Sequence, residues 1–493
     1  MTHRLVQSRS GHPTILAGDI YLHSRYDPKA EASRFVQSLK FSISCDFFII
    51  LEPGLGYCIP ELKKAYPKTR ILVMHASRDF KEIPETHDLE AHGVWYPDLE
   101  IDIIHFLEKE IPEGSLCHLI EWKPSIGAYG QTYQSIQTEI KQFLEREAAN
   151  IRTTAGFGKR WLKNVFKNLT LLQNPLYFER GQIPVLVTGA GPSLEDAIPL
   201  IHRALQEGPL CIVAASSSVP ALLAHHIVPS ISVATDGGTW AAFHLIDQFR
   251  RAVPLVANKP SPLPFPLAVT LNAKLCSQAA QVPQLLISDG SLWQTRLLQK
   301  LSLPFIQLPQ RGTVSATILD VAMLISTGPV YITGMDMAHR DIQTHARPYG
   351  LDFYIDERAC RFTPLYSLAC KRSLMDANHE ALSIYAAWFD RYFQEHPGRI
   401  SVLGTRQHPK FPMLPVSQEI HWNSYKEPSF YILPRKKDRV HQYIQEYVAL
   451  LIDELQTTSE QKQMQEELSY LLSGRKQALA IPEIIKKLRD LFY

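Results

Sequence analysis

Little in this chain ties it to a metal, a disulfide framework or a nucleic acid. Its seven cysteines, Cys45, Cys58, Cys117, Cys211, Cys276, Cys360 and Cys370, are scattered, odd in number and never spaced as C-x-x-C. That pattern excludes a zinc site and a disulfide framework and leaves plain reduced thiols. Charge of one sign is also missing. Lys and Arg number 51 against 49 Asp and Glu, a formal net charge of +2, which lacks the basic excess of a nucleic-acid binder. No apolar run reaches the roughly 18 residues a membrane span needs. The start, Met1-Thr-His-Arg-Leu-Val-Gln-Ser8, lacks the apolar core of a signal peptide. The expectation is a cytoplasmic protein with no membrane insertion. Internal repeats and low-complexity tracts are absent too.

A chain of 493 residues exceeds one core, so two or three domains are expected. A hydrophobic fraction of 45% and a charged fraction of 20% are ordinary for a globular protein. Residues 1–130 read as a small N-terminal α/β domain: a strand Asp46–Leu51, a turn Glu52-Pro-Gly-Leu-Gly-Tyr57, a helix Ile59–Tyr66 and a strand Arg70–Met74. With two glycines the turn is a weak nucleotide fingerprint, so a tight structural turn stands beside a vestigial cofactor domain. Residues 131–180 read as a helical connector of mixed charge. Residues 181–415 alternate short apolar strands with helices: strands at Val185–Thr188, Leu210–Ala215, Ile231–Ala234, Val253–Ala257, Phe305–Leu308 and Val330–Thr333, and helices at Leu194–Glu207, Val219–His225 and Thr313–Thr327. Alternation of this kind predicts a Rossmann-like domain with a parallel sheet covered by helices. Residues 430–493 read as a C-terminal helical domain, through Glu446–Leu455 and Gln461–Leu472, packing a small core or offering a docking platform. The fold class is therefore α/β, with a Rossmann-like centre flanked by a smaller N-terminal α/β domain and C-terminal helices.

Ligands of such sheets sit beyond the carboxyl ends of the strands, and polar residues gather at those ends here. In Thr188-Gly189-Ala190-Gly191-Pro192-Ser193-Leu194, Gly189 and Gly191 allow a tight turn and close approach of an anion. Pro192 presets the first helical turn, and Ser193 offers a hydroxyl or a cap. No lysine follows, so it is not a P-loop, and a generic strand–turn–helix is the competing reading. Ser216 and Ser217 follow the next strand and suit a base, ribose or sugar, although capping alone explains one hydroxyl. Asp236 ends the third strand, where it could accept from sugar hydroxyls, help hold a metal, or serve as a turn residue. Gly312-Thr313 opens a helix, as an anion-friendly dipole end or a plain cap. Tyr331-Ile-Thr-Gly334-Met-Asp336 ends a strand, with His339 and His345 close behind; a loop histidine can take a proton from an attacking hydroxyl, and as often is merely solvated.

The order Gly189–Leu194, Ser216-Ser217, Asp236, Gly312-Thr313, Thr333–Asp336 and Thr344-His345-Ala346 resembles the motility-associated factor family of flagellin glycosyltransferases. Leu22–Ala32 and Gly54-Leu-Gly-Tyr57 are similar to that family's opening segment, so the resemblance covers nearly the whole chain. The central domain is also similar to Rossmann-like bacterial sialyltransferases, with Ala190, Ser216 and Asp236 at or near positions where those enzymes carry asparagines, and Ala338 where they carry a tyrosine. The resemblance implies transfer of a nonulosonic acid, of pseudaminic or legionaminic type, from its CMP form to Ser or Thr of flagellin, by direct displacement with inversion. It implies Gly189, Gly191, Pro192, Ser193, Leu194, Ser216, Ser217, Asp236, Gly312, Thr313 and Gly334 as donor-nucleotide residues. His345 would be the base, with Asp336 also catalytic, and Tyr331 and the helix starts at Gly191 and Gly312 would steady charge on departing CMP. No cofactor is required beyond the CMP-activated sugar as donor substrate. No metal ligand set is expected, although a divalent metal stays open, as does the oligomeric state. One rival reading is an archaeal pterin pyrophosphokinase, which shares the Gly-x-Gly-Pro-Ser-Leu turn and would make Asp236 and Asp336 magnesium ligands. Another is a non-catalytic flagellin-binding assembly factor with a worn nucleotide site.

Overall fold

The structure, a computed structural model, describes residues 3–41, 45–86, 89–97, 100–255, 262–337, 340–377, 381–405, 414–433, 443–476 and 479–492. The chain divides into two compact units, Met1–Gly158 with Leu468–Ala480, and Lys159–Glu467 with Ile481–Tyr493.

The first unit opens with an antiparallel meander, β1 (His3–Gln7), β2 (Pro13–Ala17) and β3 (Ile20–Tyr21). Helix α1 (Pro28–Ser38) begins where the Asp27 carboxylate accepts the N–H groups of Lys29 and Ala30, each at 3.0 Å. Pro28 takes the first helical position, where no donor is needed. Then come β4 (Phe47–Leu51), α2 (Cys58–Ala65), β5 (Arg70–Met74), β6 (Gly93–Trp95), α3 (Ile103–Glu110) and β7 (Cys117–Glu121), whose strands form a parallel sheet in the order β6-β5-β4-β7. Every residue of β4 is buried because both faces are covered. Phe47, Ile49 and Leu51 pack with Ile103 and Phe106 of α3, whereas Phe48 and Ile50 pack with Val36 of α1 and Ile59 of α2.

The turn after β4 closes on the protein's own side chains. Gly54 (φ +60°) would place a Cβ 2.5 Å from His23 Nε2, and Gly56 (φ +74°) one 2.3 Å from Leu89 Cδ2. His23 Nε2 accepts the Leu55 N–H at 2.8 Å. Glu52, fully buried, accepts from the Ala76 and Gly54 amides and sits 3.2 Å from His75 Nδ1. The His75 ring lies stacked on Phe80 and on Tyr96.

Helix α4 (Lys123–Leu171) follows, bent at Gly130, and its residues from Lys159 onward belong to the second unit. There β8 (Leu176–Glu179) leads into β9 (Val185–Thr188), α5 (Ser193–Glu207), β10 (Cys211–Ala215), α6 (Val219–Ala224), β11 (Ile231–Ala234), α7 (Ala241–Ala252), β12 (Leu267–Thr270), β13 (Gln284–Ser288), α8 (Leu292–Lys300), β14 (Phe305–Gln307), α9 (Val314–Ile325) and β15 (Val330–Thr333). After α10 (Asp352–Asp356), α11 (Leu365–Ala377) and α12 (Ala381–Glu395) come β16 (Ile400–Leu403), β17 (Val416–Ser417) and β18 (Ser429–Ile432), the last paired with β8. The C-terminal helices are α13 (Ile444–Thr457), α14 (Gln461–Ser473) and α15 (Ile481–Phe492); α13 and α15 lie in the second unit, and the end of α14 in the first.

Among the described residues, nine strands form one all-parallel sheet in the order β14-β13-β12-β11-β10-β9-β15-β16-β17. Successive strands step outward from β9 to β14. Helix α9 then carries the chain back across one face, against β9, β10 and β11, so that β15 pairs on the other side of β9. The order therefore reverses between β9 and β15, where sheets of this kind hold their ligands. Two expectations need correction. Val253–Leu255 is a 3-10 turn at the end of α7, not a strand, because Pro254 cannot donate to a ladder; 256–257 lie outside the described residues. Strands β12 and β13, unforeseen, fill the sheet between β11 and β14.

Candidate active site

Thr188 and Thr333 are register partners, so the turns that follow β9 and β15 leave the sheet side by side. They pack backbone against backbone. Gly189 N–H donates to Thr333 O at 2.9 Å, and Gly191 N–H to Gly334 O at 2.7 Å. A Cβ on Gly189 would stand 2.2 Å from Gly334 O, one on Gly334 2.3 Å from Gly189 O, and one on Gly191 2.1 Å from Asp336 Oδ2. These glycines are required by the packing of the two turns on each other.

The start of α5 is already occupied. Asp336, buried, accepts the Ser193 N–H on Oδ2 at 2.9 Å, and Ser193 Oγ accepts the Gly334 N–H at 3.0 Å. A carboxylate at a helix N-terminus satisfies a donor that the helix leaves unpaired and meets the positive end of its dipole. Burial pushes the Asp336 pKa up, and the hydroxyl and amide of Ser193 pull only part of that back. So the expectation of free amides facing a ligand at Gly191–Leu194 is corrected: the protein's own carboxylate holds that place. Leu194 itself is buried, and its N–H closes the turn on Gly191 O.

The loop with His345 docks on the same turn. Ala346 N–H donates to Ala190 O at 2.8 Å. Glu195, in the first turn of α5, accepts from the Gln343 side chain and from the Arg347 N–H, each at 2.7 Å. Arg340 pairs with Asp196. His345, half-buried, stacks on Tyr349 with ring centroids 4.0 Å apart, and its Nδ1 is 2.9 Å from Thr344 Oγ1. The imidazole is thus fixed in plane and in rotation beside the point where the strand order reverses. His339 and Ala338 lie outside the described residues.

Tyr331 stands apart from this group. It precedes Thr333 by two residues, about 7 Å back along the strand at ~3.3 Å per residue. It is buried, and its hydroxyl accepts the His421 N–H at 2.9 Å. That hydroxyl is already tied to the segment at His421, and as a hydroxyl it keeps a proton to donate.

The remaining predicted residues lie at that edge on neighbouring elements. Ser216, buried, continues the β10 ladder, its N–H donating to Val233 O and its carbonyl accepting from Gln248. Ser217 is half-exposed. Asp236 is exposed after β11, with Oδ1 accepting the Gly238 N–H at 2.7 Å as in an ordinary Asx turn. Gly312 adopts φ +71°, and Thr313 caps α9 by accepting the Ser315 N–H. Pro192, Asp236, Thr313 and Asp336 consequently share one edge of the sheet.

Sequence reasoning missed the residues that hold the β11 and β12 loops. Asn164 Nδ2 donates to Gly237 O and Asn272 O at 3.0 and 2.9 Å, and Asn168 Nδ2 to Leu271 O and Ala273 O at 2.9 and 2.7 Å. Trp161 leaves no room for a side chain at Gly237. The Trp161, Asn164, Asn168 spacing, one face of a helix, is the signal that marks them.

Residues 159–341, a little over a third of the chain, match the family model described as 6-hydroxymethylpterin diphosphokinase MptE-like. An uncharacterized protein of Treponema pallidum (strain Nichols) is 28% identical over 316 residues, covering 64% of this chain and 66% of that protein, just under two thirds of its length. The fold is similar to that of a MAf glycosyltransferase from Magnetospirillum magneticum AMB-1, with a TM-score of 0.53 at 12% identity, over 100% of this chain and 87% of that one. The match at this identity establishes the fold: a Rossmann-like centre with N-terminal sheets and C-terminal helices. The family-model match also starts at Lys159, so the last turns of α4 go with the Rossmann-like domain.

Proposed function

We propose that this protein is a glycosyltransferase that moves a nonulosonic acid from its CMP-activated form to Ser or Thr hydroxyls of flagellin. The observation that carries the reading is His345, locked onto the turn after β9 in a chain whose fold is that of a MAf glycosyltransferase. With Nδ1 engaged by Thr344, Nε2 is the nitrogen that takes the acceptor's proton. The acceptor oxygen then bonds the anomeric carbon as the bond from that carbon to the CMP phosphate oxygen breaks, and the phosphate leaves with the electron pair. Ser217 and the capped start of α9 are the strand-end donors for the nucleotide. Asp336 acts on the chain's own geometry, fixing Ser193 and hence the turn. Intact-mass measurement of flagellin from cells with and without this protein tests the reading: loss of sugar-sized mass steps supports it, and unchanged flagellin mass overturns it.

The MptE-like match favours a second reading, pyrophosphoryl transfer to a pterin with magnesium. Asp336 Oδ2 is spent on Ser193, which leaves the exposed Asp236 as the strand-end carboxylate such a metal would meet together with the substrate phosphates. Turnover of ATP with a hydroxymethylpterin would select this reading over transfer of a sugar.

A further inference from the structure

The end of α4 carries charge of one sign. From residue 148 to 178 the sequence has Arg152, Lys159, Arg160, Lys163 and Lys167 and no acid, so within α4 the mixed charge stops at Glu147. Arg160, Asn164 and Lys167 fall at i, i+4 and i+7, one stripe of the helix. Asn164 reaches the loops after β11 and β12, and Asn168, next to Lys167, holds Ala273 O. Lys274 follows directly, and its N–H donates to Asp236 O at 2.9 Å. Helix and loop thus bring cations together at the carboxyl edge of β11 and β12. Burial first, and then the charges of Lys167 and Arg160, push the Lys274 ammonium pKa down. Among the described residues neither Lys167 nor Lys274 has an ion-pair partner. The carboxylate in the adjoining turn, Asp236, has Oδ1 engaged by Gly238 N–H.

We infer that Lys167 and Lys274, with Arg160 beside them, form the phosphate-binding site of this domain, for the phosphate of a nucleotide or nucleotide-activated substrate. Two observations meet here. The helix start that ordinarily receives phosphate in such folds holds the Asp336 carboxylate, while Lys167 and Lys274, without an ion pair among the described residues, lie at the same edge. Lys274 is half-buried in a loop beside the exposed Asp236 turn, which suits a small anion rather than a flat acidic protein surface. The inference rests on the proposed nucleotide-sugar donor for its biological ligand, but its geometry asks only for phosphate.

The test uses the full chain and three probes, CMP, ATP and inorganic pyrophosphate. Lysine acetylation is read by mass spectrometry with and without probe, Lys64 serving as reference, and affinity is read by calorimetry at low and high salt. Protection of Lys167 and Lys274 by CMP is expected. So is at least ~10-fold weaker CMP binding by the Lys167→Ala/Lys274→Ala variant, and an affinity that falls with salt. Protection by ATP or pyrophosphate without CMP binding keeps the phosphate site and removes the CMP donor. CMP binding that leaves both lysines reactive and the variant unaffected overturns the site and spares the donor. No probe altering either lysine overturns the site, including the case in which an acidic peptide binds there instead.

Discussion

The two units each carry a parallel sheet with a glycine-bearing turn after the strand that starts its Rossmann-like pattern, and the turns have different neighbours. After β4, Gly54 and Gly56 make room for His23 and Leu89, and Glu52 and His75 are fully buried beside them. After β9, Gly189 and Gly191 make room for the β15 turn and Asp336, while the adjacent strand ends keep Ser217 and Asp236 in contact with solvent. In both cases glycine serves internal packing. What separates a closed edge from a candidate site is the set of loops on the next strands. The turn after β4 is packed by the chain's own side chains, His23 and Leu89.

The sharpest way to break this comparison is to add one methyl group to each turn. Gly189→Ala and Gly54→Ala should each lose about 3 kcal/mol by urea unfolding, from forced overpacking and, at Gly54, left-handed strain. A loss confined to ligand affinity would show that the glycines serve a ligand after all. His345→Ala should slow transfer by about 10²-fold with an unchanged urea midpoint. Near-wild-type turnover removes His345 from the chemistry. Asp336→Ala should cost about 2 kcal/mol by leaving the buried Ser193 N–H without its acceptor. Asp336→Asn keeps the acceptor and should be neutral or stabilising at pH 7, because a carboxyl whose folded pKa is raised above its unfolded value loses stability as pH rises through that window. Equal effects of the two substitutions would sink the capping role.

On the closed side, burial lowers the His23 pKa to about 3 from its ordinary 6.5. The unfolded chain then binds the proton first, so the first unit should lose stability as pH falls from 6.5 toward 3, and His23→Gln should flatten that slope. A wild-type midpoint that is flat across this range contradicts it. The smallest effect is expected at Tyr331→Phe: about 1 kcal/mol of stability from the lost His421 hydrogen bond, with turnover within about twofold. A large drop in turnover would place Tyr331 in the mechanism.

The strand ends were legible because short apolar runs followed by Gly, Ser or Asp mark them. The run Val253–Ala257 misled because α7 runs straight into it and its proline breaks the ladder. Strands β12 and β13 hid because Leu267-Ala-Val-Thr270 is short and Gln284–Ser288 begins and ends polar, and neither stands beside a clear helix pattern. Alternation could not tell which way Tyr331 points, since every residue of β15 is buried and a strand covered on both faces reads as uniformly apolar. The capping of Ser193 by Asp336 was beyond local reading, because its partners lie in separate strand turns.

The bond between Ser193 and Asp336 closes a loop of 143 residues. At about 5–20 residues per second, a ribosome needs roughly 7 to 30 s between delivering the two. Through that interval the first helix of the domain exists without its counter-charge, and the neighbouring strand bears an unpaired edge that β15 will later cover. The cap on α5 is thus completed late, when one aspartate arrives.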